Sequence, residues 1–392
     1  MKFQLCLMLC LGVLFFAACN NSVPEPNTSE LLETYSLNES DITQSNSRDH
    51  NDLIQLSNNE VVVLAGFPDI ELISFHEGLV RKWDKLFESD GLNNSRKILD
   101  VGDGLVIIGT KRNQQFNTPD LLIFKTNYQG ELIFEYVEEN QFYFNGVSIL
   151  QNSDDELVFI AHKKNSEKML DTSLVLGKLS KSGKLVWSKE YSLEDNIIAK
   201  EILEGPEGDF VVLTAHDLTL NEYSLFKFDS GGDFKEEIQT TISSFSTAFN
   251  VNHNSYNITN TEDGGYLLVC DLPYDQNGPY FESTVVKLDQ EFKIQWEIET
   301  PHLSPSGVIQ TKDRGFLSYG GTSFDGETGS IYFIKLDQQG EIIWEREFEI
   351  SGEYISARKV IESREGELIV LGSSVSTFDF VIFKTDSEGR PF

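Results

Sequence analysis

The chain has 392 residues and a formal net charge of −32, from 63 acidic against 31 basic residues. A field of that sign repels nucleic acid and anionic membrane surfaces and favours solubility. The carboxylates are spread along the chain, which describes a solvated outer surface and names no partner.

In chain order, Lys2 gives a short positive start, residues 5–18 form an uncharged apolar run, and Phe16-Ala17-Ala18-Cys19 closes it. A stretch of this length is short for a bilayer span and reads as a signal peptide over residues 1–18. The small pair before Cys19 resembles the lipobox at which bacterial lipoproteins are cut and acylated, with Phe16 where Leu is commonest. That resemblance implies a palmitate-type acyl chain on Cys19 and hence a membrane anchor. Residues 19–29, polar with Pro24 and Pro26, read as a flexible tether. Losing the signal removes Lys2, leaving 30 basic against 63 acidic residues, or −33. Cys6 and Cys10 leave with it, so Cys270 cannot form an intramolecular disulfide and reads as a small core residue.

Residues 30–37 have the pattern of a strand, to be compared with Glu131 to Val137. From residue 52 onward one unit recurs: an apolar strand, Lys-x-Asp, a turn usually closed by Gly, and a strand that often carries Trp. Its copies are Phe124-Lys125-Thr126-Asn127 to Gly130, Gly177-Lys178-Leu179-Ser180 to Gly183, and Phe226-Lys227-Phe228-Asp229 to Gly232. Val286-Lys287-Leu288-Asp289 to Phe292, Ile334-Lys335-Leu336-Asp337 to Gly340, and Phe383-Lys384-Thr385-Asp386 to Gly389 follow. A degenerate first copy runs from Leu72 through Gly78 to Trp83. Spacings between the turns are 52, 53, 49, 60, 48 and 49 residues, a period that signals stacked structural repeats.

A continuous apolar run such as Leu105-Val106-Ile107-Ile108 precedes each copy, and continuity means burial on both faces. The residue after each run is small: Ala65, Gly109, Ala161, Thr214, Cys270, Gly320 and Gly372. A shorter strand comes before that, across a turn such as Glu262-Asp263-Gly264-Gly265. Each repeat therefore has four strands, A to D. Seven such units predict an all-β, seven-bladed β-propeller of four-stranded antiparallel blades over residues 30–392. The seventh repeat ends at Phe392 without a strand D, so an N-terminal strand, residues 30–37, is expected to complete the last blade.

The Lys-x-Asp, Gly and Trp unit resembles the repeat propellers of bacterial lipoproteins of undefined role. It is less similar to the quinoprotein-type repeat, whose Thr-Gly turn is replaced here by Gln339-Gly340, Ser182-Gly183 and Glu388-Gly389. The resemblance implies a fold and an anchored presentation, and leaves the ligand open.

Catalytic and metal signatures are not met. The six histidines, His50, His76, His162, His216, His253 and His302, lack metal-ligand spacing, and no cofactor loop occurs. His162 and His216 lie just beyond strand B in adjacent blades, offset by one column. The repeated Lys reads as scaffold, its stem over apolar surface and its head in water. A binding face is expected at the D–A and B–C loops, where aromatics gather: Phe142, Tyr143, Phe144, Phe245, Phe249, Tyr274, Tyr280, Phe281, Phe324 and Tyr354. Strand A starts carry Arg96, Lys97, Lys200, Arg358 and Lys359, which either offer an anion a positive channel mouth or pair with Glu201 and Glu362. The expectation is a monomeric, non-catalytic binding or scaffold module for a protein or glycan, without cofactor. The alternative is an envelope polysaccharide lyase or hydrolase with its site on the loop face.

Overall fold

Wherever an apolar run meets a turn of Gly, Asp, Asn or Glu, the chain reverses and pairs with itself, so the repeat is written locally as hairpins. A computed structural model describes residues 31–37, 42–45, 50–66, 69–87, 94–164, 172–192, 197–216, 223–240, 256–271, 282–301, 303–322, 329–350, 353–374 and 380–392. The signal segment 1–18, Cys19 and the tether to residue 29 lie outside them.

Two short strands come first, β1 (Leu32–Leu37) and β2 (Thr43–Ser45). Blade 1 is β3 (His50–Gln55), β4 (Val61–Gly66), β5 (Ile70–Phe75) and β6 (Arg81–Phe87). Blade 2 is β7 (Asn94–Asp100), β8 (Leu105–Arg112), β9 (Pro119–Thr126) and β10 (Leu132–Glu138). Blade 3 is β11 (Tyr143–Gln151), β12 (Leu157–Lys164), β13 (Thr172–Leu179) and β14 (Leu185–Ser192). Blade 4 is β15 (Ile197–Glu204), β16 (Phe210–His216), β17 (Tyr223–Phe228) and β18 (Phe234–Thr240). Blade 5 is β19 (Tyr256–Asn260), β20 (Tyr266–Asp271), β21 (Glu282–Leu288) and β22 (Ile294–Pro301). Blade 6 is β23 (Ser304–Gln310), β24 (Phe316–Gly321), β25 (Ile331–Leu336) and β26 (Ile342–Ile350). Blade 7 is β27 (Ile355–Glu362), β28 (Leu368–Ser374) and β29 (Phe380–Thr385). The structure is the expected seven-bladed propeller.

Seven apolar layers hold it, one at each blade-to-blade interface. Between blades 2 and 3, for example, Ile108, Leu121 and Ile123 meet Ile149, Leu157 and Phe159. The layer that closes the circle joins Leu53, Val63 and Ile73 of blade 1 to Ile369, Leu371 and Ile382 of blade 7. Burial on both faces explains the unbroken apolar strings: β4 and β28 are buried at every position.

Each part of the repeated motif has a contact. The Asp229 side chain accepts the amides of Gly231 and Asp233, and Asp289, Asp337 and Asp386 repeat this two and four residues on. The turn Gly takes a positive φ and presents its bare Cα to the strand D aromatic of the preceding blade. Gly232 faces Trp187, Gly340 faces Trp296 and Gly389 faces Trp344, each so close that a Cβ would approach within 3.0 Å of the indole. In blade 5 Phe292 holds that place at φ 63° and stacks on Tyr266, ring centroids 4.6 Å apart.

The repeated Lys is not solvated as its sequence suggests. Lys178, Lys227, Lys287, Lys335 and Lys384 reach carboxylates of their own blade's A–B turn: Glu156 (2.7 Å), Asp209 (3.0 Å), Asp263 (2.9 Å), Asp313 (2.8 Å) and Glu367 (2.7 Å). Lys125 pairs with Asp103 in the same way. Blade 1 has Ser74 in that column, its buried hydroxyl unpartnered among the described residues.

Closure by an N-terminal strand holds, with a different division of labour from the one expected. The strand completing blade 7 is β2, antiparallel to β29 with Thr43 opposite Ile382. Residues 32–37 lie one blade earlier, as a fifth strand of blade 6 parallel to β26. There β1 covers the outer edge of blade 6, so that Trp344, Glu345, Arg346 and Phe348 of β26 are buried, whereas no residue of the outer strands β6 and β10 is. Arg346, 3% exposed, donates to the carbonyls of Leu31 (3.2 Å), Glu388 (3.1 Å) and Glu345 (2.8 Å), so one guanidinium ties β1 to the C-terminal turn.

Candidate functional site at the channel mouth

The seven A strands touch in a ring and enclose the central channel. Six carry a β-bulge at one level, where the pairing with strand B skips residues 51, 96, 147, 200, 306 and 358. The small column of the sequence lies opposite: Gly109 pairs Ser95, Ala161 pairs Gly146, Thr214 pairs Ala199, Gly320 pairs Pro305 and Gly372 pairs Ala357. The extra residue pushes the inner backbone outward. A Cβ on Gly109 would sit 2.1 Å from the Asn94 carbonyl and one on Gly320 2.0 Å from that of Ser304. Cys270 occupies the column in blade 5, fully buried, with Sγ 3.9 Å from the Thr284 carbonyl oxygen.

One residue past the bulge, side chains from different blades lock the channel. Lys97 Nζ lies 2.7 Å from Glu201 Oε1 and 3.1 Å from Ser148 Oγ, and the Ser148 hydroxyl also bonds Glu201, so blades 2, 3 and 4 are joined. Lys359 Nζ is 3.2 Å from Asp52 Oδ1, and Asp52 accepts the amides of Leu53 (3.1 Å) and Ile98 (3.2 Å), joining blades 7, 1 and 2. Asp52 holds the Lys359 ammonium well above the ordinary lysine range, with Tyr319 and Glu201 adding to it against burial. Asn257 takes the Val308 amide at 3.3 Å and links blades 5 and 6. These groups form a floor across the lumen with two ammonium groups balanced by two carboxylates.

Toward the D–A loop face stand the bulged residues themselves. Arg96 and Arg358 are the exposed residues of their strands, whose other positions are buried or half-buried. Both are the bulged residues of inner strands, left out of the ladder with strand B. Lys200 holds the same place in blade 4. His162, at the end of β12, accepts the Ala199 amide on Nε2 at 2.8 Å. Burial, then the charges of Lys200 and Arg96, push its imidazole down to about 4, so it is neutral with the proton on Nδ1.

The other predicted site residues divide. Tyr143 is 36% exposed, Phe142 is half-buried beside it, and Phe144 is fully buried in the layer between blades 2 and 3. Tyr354 packs on Gly329, to which it is bridged. Tyr274, Tyr280 and Phe324, with Phe245, Phe249 and Phe281, lie outside the described residues, as does the side chain of His216. Among the described residues, no group of three or more His, Cys, Asp and Glu has metal-binding geometry.

Sequence reasoning missed the support beneath Tyr143. Asp120, 3% exposed, accepts the Asn113 side-chain amide (2.9 Å) and the Asn140 backbone amide (2.9 Å). Asn140 in turn donates to the carbonyls of Tyr143 (3.0 Å) and Lys164 (2.8 Å). Burial raises the Asp120 carboxyl despite those bonds. A lone Asp in a strand carries no sequence signal for this.

The chain is thus a seven-bladed propeller whose inner strands are tied across blades by ion pairs and hydrogen bonds. No family model matches it, and no curated protein does. Among solved structures it is similar to the WD40 domain of Pan2 from Neurospora crassa, at 11% identity and TM-score 0.54, covering 89% of this chain and 97% of that one. It is also similar to the polysaccharide lyase Uly1, at 10% identity and TM-score 0.54, covering 86% and 90%. A Bacteroides caccae protein of unknown function aligns at 10% identity and TM-score 0.46, covering 77% and 94%. At such identities the likeness is one of fold.

Proposed function

We propose that this propeller is a non-catalytic binding module, holding a protein or glycan partner of the cell envelope on the face of the D–A and B–C loops. The observation that carries the reading is the division of labour along the inner strands. The channel carboxylates Asp52 and Glu201 are engaged in ion pairs and hydrogen bonds. Arg96 and Arg358 are exposed on inner strands of the ring, and Tyr143, held on a buried Asp120 support, lies within the field of Arg96. Rigid presentation limits the ordering cost of binding.

The test is retention of envelope glycan or protein from an extract by the immobilised full-length chain, with soluble saccharide products assayed in parallel. Retention of an uncleaved partner, weakened in Tyr143→Ala, is expected. Product release that stops in the same variant would make the chain an enzyme. That second reading, polysaccharide cleavage, rests on the fold shared with a lyase.

The reading includes anchoring of a monomeric ring to a bacterial membrane through acylated Cys19, on the strength of the apolar run and the small pair before it. Cys19→Ser is expected to lose both acyl labelling and partition into detergent. A variant that keeps both sinks the anchor.

A further inference from the structure

We infer that Arg96, Lys200 and Arg358 form a binding site for a small, multiply charged oxyanion seated on the channel axis. The inference rests on the loop-face binding reading and names the chemistry that face takes.

Composition is the first argument. Acidic residues outnumber basic ones 63 to 31 in this chain, yet the six bulge positions hold three cations and no carboxylate: Asn51, Arg96, Val147, Lys200, Ser306 and Arg358. A bulge turns its extra residue out of the ladder, so these cations are delivered to one level of the channel by the backbone itself.

Engagement is the second. Lys97 and Lys359, one residue further along, are paired with Glu201 and Asp52. Arg96 and Arg358 are exposed and make no ion pair among the described residues. The floor below them balances its own charge, so it does not cancel the field at the mouth.

Convergence is the third. Arg96 on blade 2 and Lys200 on blade 4 stand at the same bulge on either side of blade 3, whose His162 is docked next to Lys200 and is lowered by both charges. His162 itself stays docked on the Ala199 amide.

Spacing then defines the ligand. The three cations stand on blades 2, 4 and 7, with no two adjacent. A single carboxylate does not span them, whereas a compact molecule with several anionic groups does. Guanidinium groups take carboxylate or phosphate oxygens in paired hydrogen bonds, and the low-dielectric walls of a channel focus the attraction.

The experiment is calorimetric titration of the full-length chain with citrate and with tripolyphosphate at low salt, acetate serving as the monovalent control. At least one polyanion is expected to bind more tightly than about 1 mM, with acetate far weaker. Arg96→Gln and Arg358→Gln should each weaken binding about tenfold. Lys181→Gln, on a C–D turn of the opposite face, should leave it unchanged, and unchanged melting would confirm that every variant folds. Citrate alone binding assigns a carboxylate ligand, and tripolyphosphate alone a phosphate one. No binding of either at about 10 mM, or binding indifferent to both arginine changes, overturns the inference. If envelope partners are still retained in that event, the anion site falls and the binding module stands.

Discussion

Asp52 is the residue on which most of the channel floor converges, with one carboxylate oxygen on Lys359 and a backbone amide and the other on blade 2. Removing Asp52 takes the counter-charge from Lys359, whose side chain is 31% exposed, and the acceptor from two backbone amides. Asp52→Ala is therefore expected to cost about 3 kcal/mol in urea unfolding, with part regained in the double change with Lys359→Met. Sequence reading singled out Lys359 but offered it Glu362, three residues away on the same strand. The true partner is in another blade, and nothing local encodes that meeting. Asp263 behaves differently. Burial raises its carboxyl, but Thr261, Lys287 and the Gly265 amide outweigh this and hold it at about 2. Because that lies below the unfolded value of about 3.9, its contribution is complete above about pH 4 and lost as pH falls through 2. Asp313, lowered in the same setting by Lys335 and Thr311 against burial, adds to the loss. Stability measured from pH 5 to pH 2 should fall less steeply in Asp263→Asn, and parallel curves would refute the assignment.

At the scale of the element, the inner strand and its partner are one device. The bulge requires a small residue opposite, and in the six bulged blades the sequence shows the requirement as a column of Ala, Gly and Thr without showing its cause. Gly320→Ala should destabilise by about 2 kcal/mol, since its Cβ meets backbone rather than a side chain that can move. Gly78→Ala, with nothing within 4 Å, should stay within about 0.5 kcal/mol. Chemical denaturation of the two variants gives the comparison. Strands and turns were legible because each blade repeats the same constraint, whereas the Trp–Gly contact, made between neighbouring blades, was not. The repeated Lys was misread because its carboxylate shifts place. Where Gly265 or Gly315 precedes the strand, the Lys folds over the bare Cα to an Asp further back, and its side chain is 4% or 3% exposed. Where Glu156 or Glu367 precedes it, the Lys meets that carboxylate directly.

For the whole molecule, closure depends on two N-terminal strands rather than one. Leu32 to Leu37 carries a strand pattern and was legible, but its parallel place beside an already complete blade was not. Thr43 to Ser45, which completes blade 7, has no apolar signal at all. Deleting residues 1–45 uncovers the edges of β26 and β29 and strips Arg346 of the Leu31 carbonyl. The truncated chain should self-associate in sedimentation and lose amide protection first in blades 6 and 7. A monomer with unchanged exchange there would mean the clasp is dispensable.

The parallel strand also has a mechanical meaning. Any pull applied upstream of residue 31 reaches the ring through β1, whose six residues run alongside β26 from Glu345 to Ile350. Drawn along its length, that pairing is loaded in shear, and its hydrogen bonds resist together. Drawn away from the rim, it opens one bond at a time. The orientation of the ring relative to its point of attachment therefore decides how much force it withstands before the circle opens.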